Sequence, residues 1–333
     1  MAKIIVLGSG GFGLSLAILA YKYGHDVTVW SAFEDEIKTI VKDKEHKIKL
    51  PGVIIPEKIK FTSKIEDISG NEIVLFGIPS PFVRNVAKLA KPYISSNMII
   101  LNTGKGIEEF TYKRLSEVIE DEIPNVPIVI LSGPSHAEEV ARGIPTTVVV
   151  SSKDRKMSNY IQDVLSNEKF RIYVNDDIIG CELGGALKNI IALSAGISDG
   201  LGYGDNTSAA LMTRGITEVA RLGVAMGAQL NTFFGLTGIG DLIVTCTSKH
   251  SRNRRAGVLI GKGVTPEEAV NQVGTVEGYY CCNVAYEISR KMNIEMPITE
   301  QLNNILFNKG NVKDSLGNLM GRPHRHEVEK PLP

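Results

Sequence analysis

The sequence predicts an α/β chain: a doubly wound parallel sheet over residues 1–175, followed by an all-helical domain over residues 176–333. Three observations predict it. Short apolar runs rich in β-branched residues alternate with helical stretches up to about residue 175, and that alternation builds a mostly parallel sheet covered on both faces. The first run, 3–7, ends in Gly8-Ser9-Gly10-Gly11-Phe12-Gly13 and passes into a helical pattern over 14–23. Beyond residue 175 the strand signals stop, and a chain of 333 residues exceeds what one core usually holds.

Strand, then G-x-G-x-x-G, then helix is the dinucleotide fingerprint in its required context. Gly8 permits the tight turn, Gly10 lets a pyrophosphate approach the backbone, and Gly13 lets helix and strand pack closely. The pyrophosphate then lies on the N–H groups that open the helix. This makes the sheet Rossmann-type and NAD or NADP the expected cofactor. A second strand follows at 26–30. At the end of that strand an NAD enzyme carries an Asp or Glu for the ribose 2′-hydroxyl, and an NADP enzyme an Arg for the 2′-phosphate. Here the chain reads Trp30-Ser31-Ala32-Phe33, which offers neither charge. Glu34, Asp35 and Glu36 come next and read as the acidic first turn of a helix, where the macrodipole favours them. Three carboxylates there also repel a phosphate dianion, which favours NAD(H) over NADP(H).

Further strands are expected at 72–76, 97–101, 127–131, 146–150 and 171–174, with helices at 81–89, 112–119 and 155–165. Such sheets bind ligands beyond the carboxyl ends of their strands, so the segments just after each run carry the interest. They include Lys105, set between Gly104 and Gly106, and the segment Ser132-Gly133-Pro134-Ser135-His136-Ala137-Glu138. Ser135 and Glu138 have the spacing of a capping box, which is compatible with an anion-friendly helix start.

In the second half helices are expected at 178–197, 206–227, 252–261, 275–291 and 297–307. On the first of them the face around Lys188 comprises Cys181, Gly184, Gly185, Ile191, Ala192 and Ala195. No carboxylate falls on it and most members are small, so the stripe reads as hollow and apolar, with room for a ligand. The alternative is a lysine that snorkels its ammonium to water. Residues 235–246 place Asp241 in an apolar, glycine-rich segment with Thr245 one helical turn on. A buried carboxylate there needs a partner, and Lys188 is the candidate; a local cap is the alternative. Residues 250–255 open a helix with Ser251 as N-cap, and Arg252 and Asn253 beside it suit a small phosphate. A solvated basic patch is the competing reading.

Composition narrows the partners. The 37 basic residues balance the 37 acidic ones, so no overall field recruits nucleic acid or an anionic membrane. No apolar run reaches the ~18 residues of a membrane span, and the start of the chain runs into a strand without a signal-cleavage pattern. The four cysteines include an adjacent pair and no C-x-x-C, which is neither a disulfide framework nor a zinc site and fits a reduced, cytoplasmic setting. His324 and His326 lack a further ligand pair at metal spacing, so no metal is expected.

These segments resemble bacterial NAD(P)-dependent glycerol-3-phosphate dehydrogenases over essentially the whole chain. The motifs that carry the resemblance are G-S-G-G-F-G at 8–13, K-G at 105–106, L-S-G-P-S-H-A-E-E at 131–139, G-G-A-L-K-N-I-I-A-L at 184–193, D-G-L-G-Y-G-D-N at 199–206, G-L-T-G-I-G-D-L-I-V-T-C-T-S at 235–248, H-S-R-N at 250–253 and V-E-G at 276–278. The resemblance implies reversible hydride transfer between a nicotinamide cofactor and dihydroxyacetone phosphate, yielding sn-glycerol 3-phosphate for phospholipid synthesis. Position by position it makes Lys188 the acid/base, with Lys105 and Asp241 as catalytic companions. Substrate contacts fall on Lys105, Gly133, Ser135, Lys188, Asp241, Ser251, Arg252 and Asn253. Cofactor contacts fall on Gly11, Phe12, Lys105, Ala137, Arg252 and Glu277, beside the fingerprint glycines Gly8, Gly10 and Gly13. The partner is a small phosphorylated substrate, and the candidate assembly is a homodimer. There are departures: Phe12 stands where tryptophan is usual, and Ala32 and Phe33 replace a polar or basic pair.

The chemistry of the residues agrees. A ketone reduction needs a hydride donor, a proton donor and something to orient the substrate. A lysine titrates at ~10.4 when free and can be moved toward ~7–8 by an apolar cleft or a second cation such as Lys105. Asp241 would pull the other way and hold the ammonium charged. Two rival readings remain: a reductase of the same architecture acting on a 6-phosphogluconate-like or ketopantoate-like acid, and a nucleotide sensor without turnover. A sensor has no need of Lys188, Asp241 and Lys105 together.

Overall fold

The computed structural model describes residues 1–324, 326 and 327. The chain forms two compact units, divided after Glu182. The first holds an eight-stranded sheet: β1 (Lys3–Leu7), β2 (Asp26–Trp30), β3 (Lys60–Thr62), β4 (Ile73–Phe76), β5 (Ile99–Asn102), β6 (Ile128–Ser132), β7 (Thr146–Ser152) and β8 (Phe170–Val174). Their spatial order is β3-β2-β1-β4-β5-β6-β7-β8, parallel throughout except for the antiparallel β6–β7 pair. The central strands β1, β4, β5 and β6 are near-continuous apolar runs because both faces of the sheet are covered there. Side-chain alternation along β1 shows this directly: Ile4 and Val6 belong to one apolar layer, Ile5 and Leu7 to the other.

Six helices accompany this sheet: α1 (Gly11–Lys22), α2 (Glu34–Asp43), α3 (Val83–Ala90), α4 (Leu115–Glu122), α5 (Ala137–Arg142) and α6 (Arg155–Leu165). Two of them start later than the periodicity suggests. A 3₁₀ turn at Ser80–Phe82, with Pro79 before it and Pro81 inside it, delays α3. Phe110 and Tyr112 have φ of 70° and 60°, so the helix expected from 112 begins only at Leu115. The short edge strand β3 has a single apolar residue, Phe61, and therefore no alternation to read.

The second unit is helical: α7 (Ile178–Gly200), which starts just before the division, then α8 (Asp205–Ala225), α9 (Asp241–Thr247), α10 (Arg252–Gly261), α11 (Pro266–Val273), α12 (Glu277–Lys291), α13 (Pro297–Phe307) and α14 (Val312–Met320). α11 and α14 escape the sequence reading because each buries a single residue, Ala269 or Ser315, too little for a helical stripe. α7 corrects the expectation about apolar length. At 23 residues it is long and apolar enough to cross a membrane, and 83% of its apolar window is buried inside the protein, as in a core helix.

Candidate functional site

In the first unit the dinucleotide fingerprint has a tight, glycine-dependent geometry. Gly8 has φ 109°, and its N–H donates to the Trp30 carbonyl at 2.8 Å. A Cβ at Gly13 would lie 2.7 Å from the Gly8 carbonyl oxygen, so only glycine lets α1 rest on the turn. Gly10 is the N-cap of α1 and no side chain caps the helix, which leaves its opening turn to an anion. This geometry fits the pyrophosphate of a dinucleotide. Gly11 comes against the Lys49 carbonyl and the Ala137 side chain, at 2.4 and 3.5 Å from where a Cβ would stand. Phe12 packs, partly buried, on the core of the sheet.

Beyond the carboxyl ends of β5 and β6, Lys105, Gly133 and Ser135 meet at one atom. Lys105 Nζ and Ser135 Oγ both donate to the Gly133 carbonyl oxygen, at 2.8 and 2.9 Å. Gly133 presents that oxygen from a φ of 120°, in the left-handed region. The capping-box reading of Ser135 is corrected: α5 begins at Ala137 with His136 as N-cap and no side-chain cap, and the Ser135 hydroxyl is turned to Gly133 instead.

The second unit holds the lysine cluster. Lys188 Nζ donates to Asp241 Oδ1 at 2.9 Å and to Thr245 Oγ1 at 2.5 Å. Thr245 in turn donates to the Asp241 carbonyl at 2.6 Å. All three are buried, with relative exposures of 4%, 2% and 4%. A π-helical segment, Leu236–Gly240, leads into Asp241, the first residue of α9. It reaches α7 because position 184 is glycine: a Cβ there would stand 2.8 Å from the Thr237 carbonyl oxygen. The expected hollow beside Lys188 is thus occupied at Gly184 by backbone, and that close approach is what delivers the carboxylate.

The start of α10 stands nearby in the same unit. Ser251 caps it, its Oγ accepting from the Arg254 N–H at 3.2 Å, and Arg252 is exposed at the first helical position. The Asn253 side chain donates to Asn189 Oδ1 at 2.9 Å and accepts from the Gly278 N–H at 2.8 Å. It therefore ties α10 both to the residue after Lys188 and to the opening turn of α12, whose first residue is Glu277. Of the basic run, Arg254 is engaged with Asp199 at 2.7 Å and not with the cluster. Among the described residues no group of three His, Cys, Asp or Glu side chains is assembled for a metal.

The sequence reading named Glu36 only together with Glu34 and Asp35, as the acidic first turn of a helix, and gave Lys49 no role. Glu36 turns inward to Ser9, Ser31, His46 and Lys49. Its only sequence signal was its place just past the second strand, shared with Glu34 and Asp35.

Residues 3–158 match the family described as NAD-dependent glycerol-3-phosphate dehydrogenase N-terminus, and residues 177–317 the one described as its C-terminus. A glycerol-3-phosphate dehydrogenase [NAD(P)+] of Fusobacterium nucleatum is 49% identical over 333 residues, covering 99% of each chain. Another, from Clostridium tetani, is 51% identical over 326 residues, covering 97% of this chain and 93% of its own. The crystal structure of a glycerol-3-phosphate dehydrogenase from Coxiella burnetii superposes with a TM-score of 0.93 at 36% identity, covering 96% of this chain and 99% of that one. A ketopantoate reductase from Ralstonia eutropha, at 13% identity and a TM-score of 0.62 over 94% of this chain and 99% of its own, shares the fold alone. With both halves matched and half of all residues shared with full-length relatives, the chain belongs to the NAD(P)-dependent glycerol-3-phosphate dehydrogenase family.

Proposed function

We propose that the chain reduces dihydroxyacetone phosphate reversibly to sn-glycerol 3-phosphate with Lys188 as the general acid/base, supplying glycerophospholipid synthesis. The observation that carries the residue assignment is the buried Lys188–Asp241–Thr245 cluster. When bound, the nicotinamide supplies or accepts the hydride. Lys188 gives its proton to the carbonyl oxygen in reduction and takes one from the hydroxyl in oxidation. An ammonium is the form this needs at the start of reduction, and Asp241 at 2.9 Å favours that charged form. Thr245 and Asp241 together fix the direction of Nζ, so the proton is delivered to one place.

Lys105 is the second cation of the reading. Its ammonium, held by the Gly133 carbonyl at the end of the sheet, is suited to stabilise negative charge on a bound ligand. Arg252 offers a planar, multidentate fork to the phosphate group, and Ser251 and Asn253 keep the helix start that carries it in place. The cysteines among the described residues are buried free thiols, which suits the reducing cytoplasm expected for the enzyme.

The test is loss of NADH or NADPH absorbance on adding dihydroxyacetone phosphate, with ketopantoate and a 6-phosphogluconate couple run in parallel. Turnover confined to dihydroxyacetone phosphate supports the reading. Turnover only with the acids, or none with any substrate, overturns it in favour of the rival reductase or the sensor.

A further inference from the structure

Three acidic residues follow β2, and they are not equivalent. Glu34 and Asp35 stand in water, with side-chain exposures of 68% and 98%, and pair with Lys38. Glu36 is folded inward, with an exposure of 18%. Its Oε2 accepts from the Ser9 hydroxyl and from the Ser31 hydroxyl at 2.7 Å. Its Oε1 accepts from His46 Nε2 at 3.1 Å and from Lys49 Nζ at 2.6 Å. Three of the four donors belong to the frame of the fingerprint. Ser9 lies between its first two glycines, Ser31 directly follows β2, and Lys49 is the residue whose carbonyl oxygen closes over Gly11. The ends of β1 and β2 run side by side, with Leu7 opposite Trp30, so this carboxylate stands at the strand end where a dinucleotide's adenosine ribose is read.

We propose that Glu36 is the residue by which this chain discriminates between its two cofactors, selecting NAD(H) by accepting the ribose 2′-hydroxyl and turning away a 2′-phosphate. The inference rests on the chain being an NAD(P)-dependent dehydrogenase, as proposed above. Donor arithmetic supports it. A carboxylate offers about four acceptor positions, and four donors already use them. Ser9, Ser31 and His46 are buried, at 3%, 3% and 7% exposure, whereas the Lys49 side chain is 44% exposed. Lys49 is thus the donor that yields to an incoming hydroxyl, which brings a proton of its own. A 2′-phosphate brings only acceptors and close to two negative charges, and Glu36 repels it.

The charge on Glu36 is dependable. Burial pushes its carboxyl up, but hydrogen bonds from Lys49, Ser9 and Ser31 outweigh burial and hold it at about 2. Nothing at positions 32 and 33 compensates, because Ala32 is apolar and Phe33, 68% exposed, carries no charge. Lys49 is the cation a 2′-phosphate would recruit, and Glu36 keeps it occupied.

The experiment is a fluorescence titration of the whole protein with NADH and with NADPH, without substrate, on wild type, Glu36→Gln and Lys49→Met. Wild type is expected to bind NADH more tightly. Glu36→Gln removes the repulsion and frees Lys49, so the ratio Kd(NADPH)/Kd(NADH) should fall by at least about tenfold. Lys49→Met should raise that ratio, since Glu36 stays charged and loses the cation that partly neutralises it, so it repels the phosphate more strongly. A wild type that prefers NADPH tenfold, or a ratio unmoved in a folded Glu36→Gln protein, overturns the proposal. If Glu36→Gln does not fold, the Lys49→Met ratio decides alone, and a ratio that stays level or falls overturns it. Because the readout is binding, failure to reduce dihydroxyacetone phosphate would sink the functional reading without touching this result.

Discussion

Lys188 is held inside an ion pair with Asp241, and its proposed role as acid/base sets what its replacement should show. Lys188→Met keeps the length and apolar fit of the side chain but removes the proton, so kcat should fall by roughly 10²–10⁴, the usual worth of a general acid. Cofactor Kd should hardly move, because the substitution lies on α7 and leaves the fingerprint of the first unit unaltered. A kcat near wild type would end the assignment. Arg252→Ala addresses the other end of the substrate. Its side chain is exposed at the head of α10 and serves no cap, so the loss should fall mainly on kcat/KM for dihydroxyacetone phosphate and much less on unphosphorylated dihydroxyacetone. Equal losses on both would show that Arg252 does not read the phosphate. At this scale the sequence was informative wherever one residue's chemistry demanded a partner. A carboxylate in the apolar stretch around Asp241 must find a cation, and Lys188 was the available one. Glu36 was opaque for the opposite reason: its donors come from positions 9, 31, 46 and 49, and nothing local at 34–36 distinguishes it from its two solvated neighbours.

Helices α7 and α10 are joined backbone to backbone. A Cβ at Gly196 would stand 2.1 Å from the Arg254 carbonyl oxygen, and one at Gly257 would stand 2.2 Å from that of Leu193. Gly200 and Gly261 repeat the arrangement one turn further on, at 2.5 Å from Val258 and 2.4 Å from Ile197. This contact sets where Ser251, Arg252 and Asn253 stand relative to Asn189 and Lys188. Gly257→Ala should therefore destabilise by about 1–3 kcal/mol through overpacking and raise KM for dihydroxyacetone phosphate more than Kd for NADH. Gly317→Ala in α14 is the control. Nothing lies within 4 Å of its added Cβ, so helix propensity alone should act and the protein should gain a little stability. Equal destabilisation by both changes, read from urea midpoints, would mean that the glycine contact is not what spaces these helices. Small residues on a helix face announce either a cavity or a close approach, and periodicity does not tell which. Beside Lys188 the sequence suggested space, and at Gly184 the structure supplies the Thr237 carbonyl.

Across the whole molecule, a buried carboxylate, Glu218, and a partly buried one, Glu36, make stability respond to pH in opposite directions. Glu218, on α8, is 2% exposed and accepts from the backbone N–H groups of Ile298 and Thr299 at 2.7 and 3.2 Å, so it caps α13 from another helix. Burial pushes its carboxyl up to about 7, against the pull of those two N–H groups and of Arg221. A folded value above the unfolded one means that the folded chain holds the proton longer. The stability is therefore full below about 4.5 and is lost as pH rises through about 7, by something on the order of 3 kcal/mol. Glu182, buried in the first unit with Arg114 and Ser116, is pushed the same way by burial. Glu36 has the reverse sign: held at about 2, it contributes stability above about 4.5 that is lost as pH falls toward 2. The two windows meet between pH 4 and 5, so the thermal midpoint should peak on the acid side of neutrality and decline toward pH 7.5. Glu218→Gln should make the limb between pH 5 and 7.5 shallower, with Glu182 still contributing, and leave the acid limb intact, whereas Glu36→Gln should make the acid limb alone shallower. A wild-type midpoint that climbs steadily from pH 5 to 7.5, with a slope indifferent to Glu218→Gln, would mean that the two N–H groups at the start of α13 keep Glu218 ionised despite its burial.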